Sequence, residues 1–260
     1  NDAADSATTV IDHLLESWDF EVFAELDPDE FYDFQQVRPI LHTDDGQNRE
    51  LIWPTPTLFL VTGPDLPRDV LLLRASEPNF RWREFCQRII SLATEVGAQE
   101  LFVLGALLAD VPHTRPIPIT SSTNHPDLGA ALPGQPSGYV GPVGITSVLA
   151  DAAAQTGMWA TSLWAAVPHY TAEPPCPKAS LALLVALDEA SGLTLPMEPL
   201  RDLAEAWQRG ADDLMNDDDL RDYVQSLEEN RDADESPETS GDAIAKEFER
   251  YLRRRDRDGT

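Results

Sequence analysis

Between Val103 and Pro126 the chain reads VLGALLADVPHTRPIPITSSTNHP. An apolar run gives way to a loop holding His113, Arg115, Thr120, Ser121, Ser122, Asn124 and His125 among Pro112, Pro116, Pro118 and Pro126. An imidazole and a guanidinium placed together suit anion binding or proton transfer. In open α/β sheets such groups gather beyond the carboxyl ends of strands. His169, after a second apolar run at 158–168, is a candidate third member of the same rim. Another candidate is GPVGITS at 141–147, where Gly141 and Gly144 precede a helical pattern and leave backbone N–H groups open to an anion. The candidate ligand-binding set is therefore His113, Arg115, Ser121, Asn124, Gly141, Gly144 and His169. A plainer reading competes with it. The prolines fix the path of the loop, His113 and Arg115 bond to backbone carbonyls, the loop packs in a contact between copies, and the glycines simply let helix and strand approach.

Other chemistry finds little footing. Asp27, Asp29, Glu30 and Asp33 lack the glycine and terminal glutamate that a calcium loop needs at fixed offsets, and read as a capped turn in solvent. No Cys/His spacing suits zinc. No serine has the flanking glycines of a nucleophile elbow, and no glycine-rich phosphate loop is followed by a lysine. Cys176 opens a helical segment, where a thiol pKa can fall, but it is not read as a nucleophile. No catalytic residue, metal or cofactor is expected.

The elements that must position the loop follow from periodicity. SATTVIDHLLESW has helical spacing, with Val10, Ile11, Leu14, Leu15 and Trp18 on one face. DFEVFAEL alternates as a half-buried strand does, and VRPIL, LIW, TLFLVTG and DVLLLRA read as further strands. In NFRWREFCQRIISLATEVG, Trp82, Phe85, Ile89, Leu92 and Val96 share a helical face that Gly97 ends. Core strands are predicted over 100–110 and 158–168, and helices over 141–157 and 176–192, the last with Pro177 near its first position. Trp53, Trp82, Trp159, Trp164 and Trp207 fall on apolar segments, as core or interface residues do. Strands alternating with helices to about residue 195 predict an α/β fold, a sheet covered by helices on both faces in three layers.

Composition bounds the rest. A formal net charge of −27 makes nucleic acid and anionic membranes poor partners. No apolar run reaches the ~18 residues of a membrane helix. Two cysteines cannot build a disulfide framework and fit a reducing, cytoplasmic setting. Two domains are expected. Residues 1–195 form the α/β core, and 196–260 form a helical extension with an acidic linker near 230–241 and an amphipathic helix over 241–255. Because α/β folds usually open with a strand, a first strand is expected upstream of Asn1.

The order of several blocks resembles the proteasome assembly chaperone 2 family, in its actinobacterial branch. They are NDAADSAT, FAELDPDEFYDFQQVRP, LIWPTPTLFLVTGPD, LGALLADVPHTRP, GPVGITSVLADAAAQTGM and WAAVPHY…PKASLALLVAL, covering roughly 1–200. The resemblance implies a three-layer α/β fold similar to purine nucleoside phosphorylases. It also implies self-association, a trimer among the options, and proteasome subunits as candidate partners. Some chaperones that bind proteasomes end in a hydrophobic–Tyr–any tail, whereas this sequence closes RRRDRDGT with Tyr251 further in, so that docking mode is not expected. Two functions stand side by side. One is a non-catalytic binding or assembly protein. The other is a small-molecule enzyme of nucleoside-phosphorylase-like or carboligase type, which needs 113–125, 141–147 and 169 to converge within about 10 Å on one pocket.

Overall fold

The computed structural model describes residues 1–44, 48–64, 66–129, 131–171 and 173–234. The linker beyond Asp234, the helix expected over 241–255 and Tyr251 lie outside the described residues. Within them the fold is α/β.

Its centre is a parallel pair. Strands β6 (Glu100–Ala109) and β9 (Trp159–Pro168) run side by side in register from Glu100 opposite Trp159 to Ala109 opposite Pro168. Their side chains alternate between two cores, as the two-residue strand period requires. Leu104, Ala106, Leu163, Ala165 and Val167 face one core, with helices α1 (Ser6–Ser17) and α4 (Pro177–Ser191). Leu101, Val103 and Ala160 face the other, with α2 (Trp82–Glu95) and α3 (Ile145–Gln155). Helices therefore cover both faces, and Leu163, Leu183, Leu184, Phe31 and Phe85 are essentially sealed from water.

The β structure is divided. β1 (Glu21–Glu25), β4 (Thr57–Val61) and β5 (Val70–Arg74) form an antiparallel sheet in the order β1-β4-β5. β2 (Ile40–Asp44) and β3 (Asn48–Ile52) form a separate hairpin. The central sheet has the order β6-β9-β7-β8, with β7 (Ile119–Thr123) antiparallel to β9 and the two-residue β8 (Gln135–Pro136) parallel to β7. The sequence reading foresaw one covered sheet and missed β7, because ITSST carries no apolar alternation. Its place is held by backbone pairing to β9, with only Ile119 at its start packed against the core.

Local signals explain the ends. The Asp2 carboxylate accepts from the N–H groups of Ala7 and Thr8 at 2.6 and 2.9 Å, satisfying donors at the start of α1. Asn1 and Asp2 lie beside β6, where Asn1 accepts from the Ala106 N–H. Gly192, at φ 66°, ends α4 in the left-handed region. Asp27 accepts from Asp29 N–H over Pro28–Glu30, the capped turn expected there, and Glu30 pairs with Arg81 and Arg88.

Beyond residue 195, α5 (Leu200–Asp213) packs on α4, burying Leu200, Ala204 and Ala211. α6 (Asp218–Asp234) follows and buries Val224 and Leu227. The acidic linker expected from residue 230 is helical through Asp234. No helix among the described residues is long and apolar enough to cross a membrane.

Gly105 faces Trp164 across the parallel ladder, and a Cβ there would come within 2.6 Å of the indole ring. Gly105→Ala must displace a packed tryptophan in the central sheet. It should cost about 1–3 kcal/mol, read as a lowered midpoint in urea or thermal unfolding.

Candidate functional site

The carboxyl ends of β6 and β9 deliver His113 and His169 to one rim. The sequence gives the reason: each strand ends at a proline or shortly before one, in DVPH and VPHY, so the chain turns out of the ladder there.

His113 is fully buried. Its backbone N–H donates to the Tyr170 hydroxyl at 2.7 Å, and its Nδ1 lies 2.8 Å from the same oxygen. The Tyr170 oxygen can take the amide and either donate to Nδ1 or accept from it; the Asp212 carboxylate facing Nε2 favours the tautomer with its proton on Nε2, in which the hydroxyl donates to Nδ1. Nε2 faces Asp212 Oδ1 of α5 at 3.4 Å but lacks hydrogen-bond geometry. The His113 carbonyl accepts from Lys178 Nζ of α4, which also donates to Gln208 of α5. Burial holds the His113 imidazole below the ordinary histidine range against the pull of Asp212, and Lys178 adds to the depression. Burial likewise lowers Lys178, opposed by Asp212, and pushes the Tyr170 phenol up to about 12. At neutral pH His113 is a neutral strut joining the rim to α4 and α5.

Arg115 points to α6. Its guanidinium meets Glu228 at 3.1 Å and Asp232 at 3.0 Å, while Thr114 donates to Glu228. Neither His113 nor Arg115 uses its side chain on a backbone carbonyl in these contacts. These contacts run to a phenol and to carboxylates of α5 and α6.

His169 stands apart from that buried network. Its Nδ1 is 3.2 Å from Asp110 Oδ1, and the same carboxylate oxygen accepts from the Tyr223 hydroxyl at 3.4 Å. The rings of His169, Tyr170 and Tyr223 meet edge to face, with centroids 5.6–6.0 Å apart. Together with Leu214, Asp217, Asp219 and Leu220 they line an open cleft of about 610 Å³.

The other candidates lie elsewhere. Asn124 latches the opposite end of β9, accepting from Ala160 N–H at 2.7 Å and donating to the Met158 carbonyl. From Ala160 to His169 is nine residues of strand, about 30 Å. Ser121 is buried in β7 opposite Leu163, its carbonyl accepting from Ser137 N–H. His125 packs on Trp159 and accepts from Asp127 N–H. Gly141 is exposed next to Tyr139. Gly144 precedes α3, in the layer on the other side of the sheet from α4. There the helix N-terminus already has its anion: Glu77 Oε1 accepts from Ile145 N–H at 2.8 Å and lies 2.9 Å from where a Gly144 Cβ would be. His113, Arg115 and His169 are thus brought to one rim, while Ser121, Asn124, Gly141 and Gly144 are not.

Tyr170, Lys178, Asp110, Asp212, Tyr223 and Glu228 escaped the sequence reading. Tyr170 had a signal, since it follows His169 at the end of a core strand. Asp212, Tyr223 and Glu228 had none, because they sit among many acids on amphipathic helices. Cys176 is fully buried, and burial raises its thiol pKa despite the α4 backbone N–H groups that lower it. Among the described residues no group of three or more His, Cys, Asp or Glu side chains is arranged to hold a metal ion.

A family model described as the PAC2 family matches residues 1–215. A PAC2 family protein from Streptomyces avermitilis is 45% identical, with a TM-score of 0.79 over 86% of this chain and 95% of its own. A Mycobacterium tuberculosis protein named as a proteasome-assembly chaperone homologue, Rv2125, is 38% identical at a TM-score of 0.78, over 86% of this chain and 95% of its own. Pyrococcus furiosus PbaB, named as an archaeal proteasome activator, shares the fold at 17% identity and a TM-score of 0.64, over 82% of this chain and 90% of its own. No match was found among curated proteins.

The depressed His113 pKa carries a sign. The unfolded chain takes up a proton near the ordinary value of about 6.5, and the folded chain only at lower pH. The contribution to stability is therefore complete above that value and is lost as pH falls through it. His113→Asn keeps an acceptor where Nδ1 stood but cannot titrate. It should show a flatter melting temperature than the parent between about pH 7 and 5; parallel profiles would show that another group carries the dependence.

Proposed function

This chain belongs to the PAC2 family, and we propose that it works as a non-catalytic binding or assembly protein, self-associating and engaging proteasome components in the cytoplasm. The two-domain division at about residue 195 and the likeness to the nucleoside-phosphorylase type of three-layer fold are part of the same reading. The likeness to Rv2125, named as a proteasome-assembly chaperone homologue, supports the chaperone class. Inside the chain, the candidate rim residue His113 is buried and consumed in packing, which agrees with a protein that binds rather than turns over.

The observation that carries the proposal is the β2–β3 hairpin. Ile40 pairs with Ile52 and Leu41 with Leu51, so these adjacent pairs point to opposite faces. All four are 48–66% exposed. Two-stranded ribbons are marginal in water unless something covers them, and β2 and β3 chiefly contact each other. An edge-to-face contact of Phe34 with Trp53 fixes the base, leaving Trp53 45% exposed. Apolar side chains bared on both faces of one arm are what a subunit interface needs and a free surface avoids. A second copy, or a partner, would cover them.

Light scattering on the purified chain should give a mass that is a multiple of the monomer's. Leu41→Asp with Leu51→Asp should return it to the monomer with little change in far-UV dichroism or melting temperature. A monomeric parent would remove self-association from the reading. Affinity capture from native cytosol should then recover proteasome subunits in near-equal amount with the parent chain; their absence would count against the chaperone role.

A further inference from the structure

We propose that the cleft beside His169, Tyr170 and Tyr223 binds an arginine side chain presented by a partner peptide. The site is separate from the hairpin, so peptide binding and oligomer mass succeed or fail independently.

The walls are three aromatic rings at nearly right angles. His169 meets Tyr170 at 88° and Tyr223 at 77°, and the two tyrosine rings meet at 90°. Each has a polar partner at its own end. The Tyr170 hydroxyl is held by His113, the Tyr223 hydroxyl donates to Asp110 Oδ1 at 3.4 Å, and His169 Nδ1 lies 3.2 Å from the same oxygen. Tyr170, held in this way, spends little entropy when a ligand arrives.

The carboxylates among the lining residues outnumber the cations, and the neighbouring Arg221 is already occupied by Asp218 and the Met215 carbonyl. Asp217 and Asp219 line the mouth and are exposed, and Asp110 stands behind two of the rings. Aromatic faces attract cations and carboxylates pair with them, in a chain whose formal charge is −27. Leu214 and Leu220 provide apolar surface for an aliphatic stem.

Shape selects among cations. The rings touch one another, so they form a corner rather than a cage. A quaternary ammonium needs aromatic faces around it, whereas a flat guanidinium needs only a wall to stack on and carboxylates within reach. Arginine is also less strongly hydrated than lysine and loses less on leaving water. The cleft is open to solvent, so the backbone flanking an arginine can pass outside it.

The test is an NMR titration of the ¹⁵N-labelled full chain with a blocked Gly-Arg-Gly peptide, alongside the same peptide carrying citrulline, which keeps the shape and loses the charge. The arginine peptide should shift the amides of 169–170 and 214–223, and the citrulline peptide should bind at least about fivefold more weakly. Asp217→Asn, whose amide oxygen can still accept from the Leu220 N–H at the start of α6, combined with Asp219→Asn should weaken the arginine peptide about threefold or more while the α6 start keeps its cap. Tyr223→Leu should abolish the shifts. The proposal is overturned if the two peptides bind equally, if a Gly-Lys-Gly peptide matches the arginine one, or if no shift appears up to about 10 mM, the range of a weak single-side-chain contact.

Discussion

Two ten-residue strands lying parallel and in register fix where everything else in this chain can go. β6 and β9 are covered on both faces, so each must present side chains to two cores. Helices α1 and α4 answer one face, α2 and α3 the other. Because the two strands run the same way, their carboxyl ends emerge together, bringing the turn with His113 next to the one with His169. Their amino ends emerge together too, which is where Asn124 ties down the start of β9. The same pairing thus joins two members of the sequence-derived constellation and holds a third about 30 Å away.

Polar groups at the rim divide into two kinds by burial. His113, Tyr170 and Lys178 form a network behind the surface, where the carbonyl of His113 and its Nδ1 both have partners and the imidazole stays uncharged. Such a network specifies how α4 and α5 sit against the sheet, because removing one partner leaves another group buried without a bond. Outside it, Arg115 reaches Glu228 and Asp232 in water, where ion pairs contribute little to stability but still favour one placement of α6. The exposed aromatic corner lies where these two layers meet.

How much could be read from residue order differs by element. Segments whose apolar residues carry a period, such as Phe85 and Ile89 of α2 or the run through β9, were legible because burial itself sets that period. β7 was not, since Ile119–Thr123 earns its place through backbone bonds to β9 and, past Ile119, its side chains say nothing of it. The rim was half legible. His113, Arg115 and His169 stood out by type and by their place after core strands. Their partners Asp212, Glu228 and Tyr223 come from helices about a hundred residues away or, for His169, more than fifty, a pairing that only the folded chain makes. The hairpin's meaning was hidden for another reason. Ile40, Leu41, Leu51 and Ile52 look like core residues in the sequence, and only the fold shows that no core reaches them.

Glu77 gives the N-terminus of α3 a last consequence. A carboxylate held in place by its own chain acts as a permanently tethered competitor, present at an effective concentration that free ions in solution rarely match. Any phosphate or sulfate approaching that helix would have to evict it first and then leave a displaced negative charge close by. The geometry that makes helix starts attractive to anions has here been satisfied in cis, turning an apparent docking point into an intramolecular fastener between the segment ahead of α2 and the start of α3.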